Sequence, residues 1–257
     1  MAQEKNEQPT DVANTYRGGV LAIGSLFWDN SQVREKWRAK HLLSLNKVID
    51  VNVPIRYGRN SKTREGNYTM VFSKAIDKEK ELGIGKFMEF QRQPRQPQDL
   101  IDEAMALIKA ECMATQLNFS VFNWKWGTVG ICLNPKILEK NEGGFQSFLN
   151  LWRNKYGTKK PLKPSEFKVG AEEEIINDGG VINLRWPEEL DKFDYYITTL
   201  TKPELSIYPS SKEVAQVMTD SHDETYFRNN RKHGIITFQD EAIEEILNDF
   251  GESSTKN

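Results

Sequence analysis

Apolar positions along the chain change their period several times, and each change marks an element. Gly19 to Ile23 is an unbroken apolar run that stops at Gly24-Ser25, the pattern of a buried strand feeding a tight turn. Gly24 has no Cβ, so a ligand can approach the backbone there and the turn is free to take positive φ. Neighbouring N–H groups can then face one point and form an anion-binding nest; the alternative is a first core strand followed by an ordinary loop. Ser31 to Lys40 mixes charges around Trp37 and reads as a short helix or ordered loop anchored by that indole. Leu45 to Tyr57 alternates through Val48, Val51, Val53 and Ile55, a strand with period-two character. Gly58 to Asn67 is a turn, Tyr68 to Phe72 a strand, and Ile84 to Phe90 another, ended by the two prolines of Gln91 to Pro97.

The strongest helical pattern runs from Gln98 to Gln116. Its first turn is acidic, which suits the positive end of a helix dipole. At about 100° per residue, Leu100, Ile101, Ala104, Met105, Leu107, Ile108 and Cys112 fill one arc. Asp99, Asp102, Glu103 and Lys109 fall outside that arc, whereas Glu111 falls inside it.

Further on, Gly127 to Leu133 is a strand and Glu142 to Tyr156 an amphipathic helix. The Lys- and Pro-rich loop Thr158 to Pro164 is the best candidate for an internal boundary. Val181 to Trp186 and Phe193 to Leu200 read as strands, and Ser210 to Met218, Glu224 to Lys232 and Gln239 to Asp249 as helices. The polar segments 1–16 and 251–257 offer little apolar surface to bury and read as disordered ends of a single domain over 17–250. Helices and strands interleave without a βαβ rhythm. That predicts a mixed α+β fold around a small barrel-like sheet, with a helical C-terminal extension from about 145.

Composition narrows the function classes. Lys and Arg number 35 against 37 Asp and Glu, a net charge of −2, so no global field draws the chain to nucleic acid or an anionic membrane. No stretch approaches the roughly 18 apolar residues of a membrane span. The N-terminus lacks the apolar segment of a signal peptide, and Cys112 and Cys132 have no metal-type spacing. A cytoplasmic protein is the expectation. His41, His222 and His233 are scattered, Glu172-Glu173-Glu174 reads as a solvated face, and no phosphate loop or Gly-x-Ser-x-Gly elbow is present. Carboxylate chemistry is what this leaves. Glu111 on an apolar arc is desolvated, which raises its pKa toward the range of a general acid–base. The alternative is that it caps a backbone donor or pairs with Arg56 or Arg59.

Ile23-Gly24-Ser25-Leu26-Phe27-Trp28-Asp29 resembles the signature that opens the γ-glutamyl cyclotransferase-like proteins, especially bacterial members reading Gly-Ser-Leu-x-Trp-Asp. Val53 to Ser61, followed by Tyr68 to Phe72, is similar to the second block of those members, so the resemblance covers Gly19 to Ala114. Ile23 departs from it, standing where an aromatic residue is usual. Leu107 to Cys112 loosely matches the helix that carries the family's presumed catalytic glutamate, with Ala110 in place of Arg and Cys112 in place of Gly. Glu142, in Lys140-Asn141-Glu142-Gly143, resembles the Glu-Gly of better-known cyclotransferases and is the competing candidate, although it also reads as a helix-capping residue.

The resemblance implies release of 5-oxoproline from a small γ-glutamyl amine or related acyl amide, with no metal or other cofactor. Glu111 would be the proton carrier, Ile23, Gly24, Ser25 and Leu26 would line the substrate pocket, and Arg56 and Arg59 would clamp an anionic group. The segment beyond 145 carries no motif and would shape a lid or specificity pocket, or bind a partner protein. Two alternatives stand beside this reading. One is a non-catalytic binder of a small ligand or peptide on the same fold. The other is an interaction or nucleic-acid module using Arg56, Arg59, Lys62 and Arg64. A buried carboxylate beside an open pocket at Gly24-Ser25-Leu26 favours the enzyme.

Overall fold

Pro54 decides how the strands are shared out. The computed structural model describes residues 16–76, 81–114, 122–140, 145–156 and 161–254. Among them the strands are β1 (Gly18–Ala22), β2 (Ile49–Val53), β3 (Ile55–Asn60), β4 (Tyr68–Phe72), β5 (Gly83–Glu89), β6 (Asn123–Trp124), β7 (Gly127–Leu133) and β8 (Tyr195–Thr201). Proline has no N–H to give a ladder, and the expected strand from Leu45 to Tyr57 breaks there into β2 and β3. β2 joins a six-stranded sheet of order β2-β5-β1-β8-β7-β6, whereas β3 pairs only with β4. β1 runs antiparallel to β5 and parallel to β8, and every residue of it is buried.

The sheet is mixed and stays open, with β2 and β6 as its edges, so the expected barrel is not formed. The short turn at Glu188–Leu190 protects the β2 edge, where the Asn52 N–H donates to the Glu189 carboxylate at 3.2 Å. Val181 to Trp186 forms no strand. Val181 and Ile182 make only isolated bridges to Ile131 and Ile176, immediately after the turn at Gly180.

The helices are α1 (Ser25–Trp28, a single turn), α2 (Gln32–His41), α3 (Pro97–Glu111), α4 (Pro135–Lys140), α5 (Gln146–Asn154), α6 (Ser211–Ser221), α7 (Thr225–Lys232) and α8 (Asp240–Ser254). α8 therefore carries helix into the stretch assigned to a polar tail. Of the N-terminal lead-in only Tyr16 is described, and it is buried edge-on against Phe145 and Phe148.

α3 starts at a capping box of Gln96 and Asp99 with Pro97 at its first turn. It buries Leu100, Ile101, Ala104, Leu107 and Ile108 and packs on α2, α5 and β8. Each fully buried Leu or Ile contributes about 1.5–3 kcal/mol. α3 stops at Glu111, five residues before the predicted end. The Ala114 N–H donates to the Lys109 carbonyl and the Met113 N–H to that of Ala110, a Schellman closure with Met113 at φ 50. A methionine in that left-handed conformation costs about 1–2 kcal/mol relative to glycine. The stretch beyond 145 is built into the sheet, since β8 lies between β1 and β7.

Candidate functional site

β1 and α1 meet at Gly24, which caps α1 with extended backbone (φ 177) and not the positive φ its sequence allows. Glycine is favoured there for a different reason: a Cβ would sit 2.5 Å from the hydroxyl of Tyr226, a buried residue of α7, which would have to shift. The turn opens onto a cavity of about 460 Å³. Its walls come from the β1–α1 turn, the β3–β4 hairpin, the end of α3, the β6–β7 turn and β8. Ile23, Gly24, Ser25, Leu26, Arg59 and Glu111 all line it.

Arg56 does not line this cavity. Residue Gly58 is a bulge, so Arg56 and Arg59 pair with Val71 and Thr69, two positions apart on one face of the hairpin. The Arg56 guanidinium lies over Tyr208 at 4.3 Å and Phe238 at 5.5 Å, away from Glu111. Glu142 lies outside the described residues.

Five cationic side chains, Arg34, Arg59, Lys62, Arg64 and Lys125, face two carboxylates, Glu111 and Glu204, so the cavity favours an anionic ligand. Arg34 is 4% exposed and nearly saturated. It donates to the carbonyls of Ala110 (3.2 Å) and Glu111 (3.4 Å), to Asp29 (3.0 Å) and to Ser25 Oγ (2.9 Å), which ties α2 to the end of α3 and to the Gly-Ser turn. Asp29 is held below the ordinary carboxylate range: burial pushes it up, and bonds from Ser31 with the Arg34 charge more than offset that. Arg64 lies 4.5 Å from the Tyr226 ring centre and reaches Ser25 Oγ at 3.1 Å. Arg59 stacks on Trp126 at 5.1 Å, and its buried Nε has no hydrogen-bond partner among the described residues. Burial lowers its pKa, while Glu204 and Glu111 oppose the shift.

Glu111 is partly buried, and its carboxylate makes no hydrogen bond or ion pair with any described residue. Burial raises its pKa; Arg34, Arg64 and Arg59 pull it down and Asp29 pushes it up, and the net direction is upward. Its place in the last turn of α3, at the negative end of the helix, acts in the same direction. Next to it, burial and Glu111 push the Cys112 thiol up to about 12, so a neutral thiol faces the cavity and not a thiolate nucleophile.

Among the described residues no group of His, Cys, Asp and Glu could hold a metal ion. His41 pairs with Glu103 at 2.9 Å, and His222 and His233 cap the ends of α6 and α7. No described helix is long and apolar enough to cross a membrane.

Several lining residues escaped the sequence reading. Arg34 had a usable signal, because it stands three residues before Trp37 and so shares the buried stripe of α2. Tyr226, Trp126, Lys125 and Glu204 had none, since only the folded chain brings them to the Gly-Ser turn. Comparison with protein-family models, curated proteins and solved structures finds no match for this chain.

Proposed function

We propose that the protein is a γ-glutamyl cyclotransferase-like enzyme that releases 5-oxoproline from a small γ-glutamyl amine or related acyl amide, with Glu111 as its proton carrier. The observation that carries this reading is the convergence, in one open cavity, of the Gly24-Ser25-Leu26 turn and a desolvated carboxylate without a direct partner among the described residues, inside a ring of arginines.

Glu111 takes a proton from the substrate α-ammonium group. The freed amine nitrogen attacks the γ-carbonyl carbon and forms the ring C–N bond. As the carbonyl re-forms and the bond to the leaving amine breaks, Glu111 returns the proton to that nitrogen. The second proton of the ring nitrogen passes through the same carboxylate to the released amine, which departs as its ammonium ion. Charge on the carbonyl oxygen during attack is stabilised by N–H groups of the turn and by the nearby cations. Arg59 and Arg64 hold carboxylate groups of the substrate.

Incubation with a panel of γ-glutamyl amines, with and without EDTA, tests the reading. Release of 5-oxoproline in both conditions is expected, together with no cleavage of N-acetylated analogues, whose amine cannot attack. Efficient cleavage of a blocked analogue means that water is the nucleophile, and the cyclotransferase reading falls.

A further inference from the structure

The Ser25 hydroxyl is held in an uncommon way. Its oxygen accepts from Arg34 Nη1 at 2.9 Å and from Arg64 Nη2 at 3.1 Å. A hydroxyl has two lone pairs and one proton. Both lone pairs are therefore occupied by guanidinium donors that arrive from separate elements, α2 and the β3–β4 connection. Arg34 is fixed by Asp29 and by two carbonyls at the end of α3, and Arg64 lies on the ring of the buried Tyr226. No described group accepts the remaining proton, and Ser25 lines the cavity. That proton is left to a ligand. Two cationic donors behind the oxygen also polarise the O–H bond and make it a stronger donor.

We propose that Ser25 Oγ–H is a fixed donor to an anionic oxygen of the ligand, so that the cavity selects a ligand carrying a carboxylate at this point. The serine cannot serve as an acceptor there, because its lone pairs are spent. A ligand presenting an ammonium or amide N–H to Ser25 is therefore rejected. The inference takes from the cyclotransferase reading only its choice of ligand.

Calorimetric binding of 5-oxoproline and of its uncharged amide, to the full-length wild type, Ser25→Ala and Ser25→Thr, tests it alongside the turnover assay. The wild type should bind the carboxylate better than the amide. Ser25→Ala should weaken carboxylate binding roughly ten- to hundredfold, the scale of a lost hydrogen bond to a charged group. Its affinity for the amide, whose carbonyl oxygen is only a neutral acceptor, should fall by less, and Ser25→Thr, which keeps the hydroxyl, should stay within about threefold of wild type by the same scale. Equal carboxylate affinity in Ser25→Ala and wild type overturns the proposal. So do equal losses in both variants, wild-type protein that does not bind the carboxylate, and a covalent adduct on Ser25 after turnover. If the wild type binds the carboxylate through Ser25 but releases no 5-oxoproline from γ-glutamyl amines, the cyclotransferase reading fails and the donor role of Ser25 stands.

Discussion

Among the described residues, burial raises two carboxylates on balance, and their surroundings differ in access. Asp240, at the start of α8, is 1% exposed and raised to about 6. Its Oδ1 accepts from the Thr237 N–H at 3.0 Å and the Thr237 hydroxyl at 2.6 Å, so it stitches a helix start shut. Glu111, at the end of α3, has no direct partner among the described residues and borders a cavity of about 460 Å³ lined by five cations. Desolvation alone therefore does not define a site. What separates the two is access and a carboxylate left free to exchange its proton.

The largest effect that would break this comparison is on turnover. Glu111→Gln should lower 5-oxoproline release by roughly two to four orders of magnitude, while Asp240→Asn should leave it nearly unchanged. Glu111→Gln should also melt no lower than wild type near neutral pH. A carboxylate whose folded pKa is raised binds more protons in the folded state, so its ionisation destabilises the fold as pH rises through that pKa. Gln removes that cost, and the gain should vanish below the ordinary Glu pKa of 4.5. Loss of turnover in Asp240→Asn with retention in Glu111→Gln would reverse the assignment.

Second in size is the stability signature of Asp240. Its folded pKa of about 6 lies above the ordinary 3.8. Its contribution to stability is therefore full at low pH and is lost as pH rises from about 4 through about 6, by about 3 kcal/mol at most. Denaturant unfolding of wild type and Asp240→Asn across that window should show a slope that the variant lacks. Identical slopes would mean that Asp240 is not desolvated as described.

The smallest effect concerns Gly24. Gly24→Ala places a methyl against the Tyr226 hydroxyl and should cost about 1–3 kcal/mol, the range for overpacking a filled site. Adding Tyr226→Phe removes the atom 2.5 Å away and should recover most of that loss in melting experiments. Without recovery, the glycine serves the ligand's approach and not the packing of α7 onto the turn.

How much of this was legible in the sequence depends on how local each cause is. β7 runs from Gly127 to Leu133 as predicted, because its apolar run is bounded by turn residues on both sides. The inward arc of α3 was equally readable, since Leu100 to Ile108 bury as one stripe. Its end was not, because the Schellman closure uses Met113 where a glycine would have announced it. Likewise the bulge at Gly58 puts Arg56 and Arg59 on one face, yet only the fold decides that Tyr208 takes the first and Trp126 the second. The Gly-Ser turn and Glu111 could be nominated from their own neighbourhoods. The place of β8 at the centre of the sheet, and the arrival of Tyr226 about 200 residues after Gly24, depend on long-range pairing that no local pattern records.

The pH dependence of kcat/KM for 5-oxoproline release, compared between wild type and Asp240→Asn, tests the central claim most directly. As the proposed proton carrier, Glu111 must be ionised to take the ammonium proton, so activity should fall as pH drops through a midpoint above the ordinary glutamate value of 4.5. That acidic limb should be superimposable in Asp240→Asn. An acidic limb that shifts or disappears in Asp240→Asn would contradict the account, because the working carboxylate would then be the closed one.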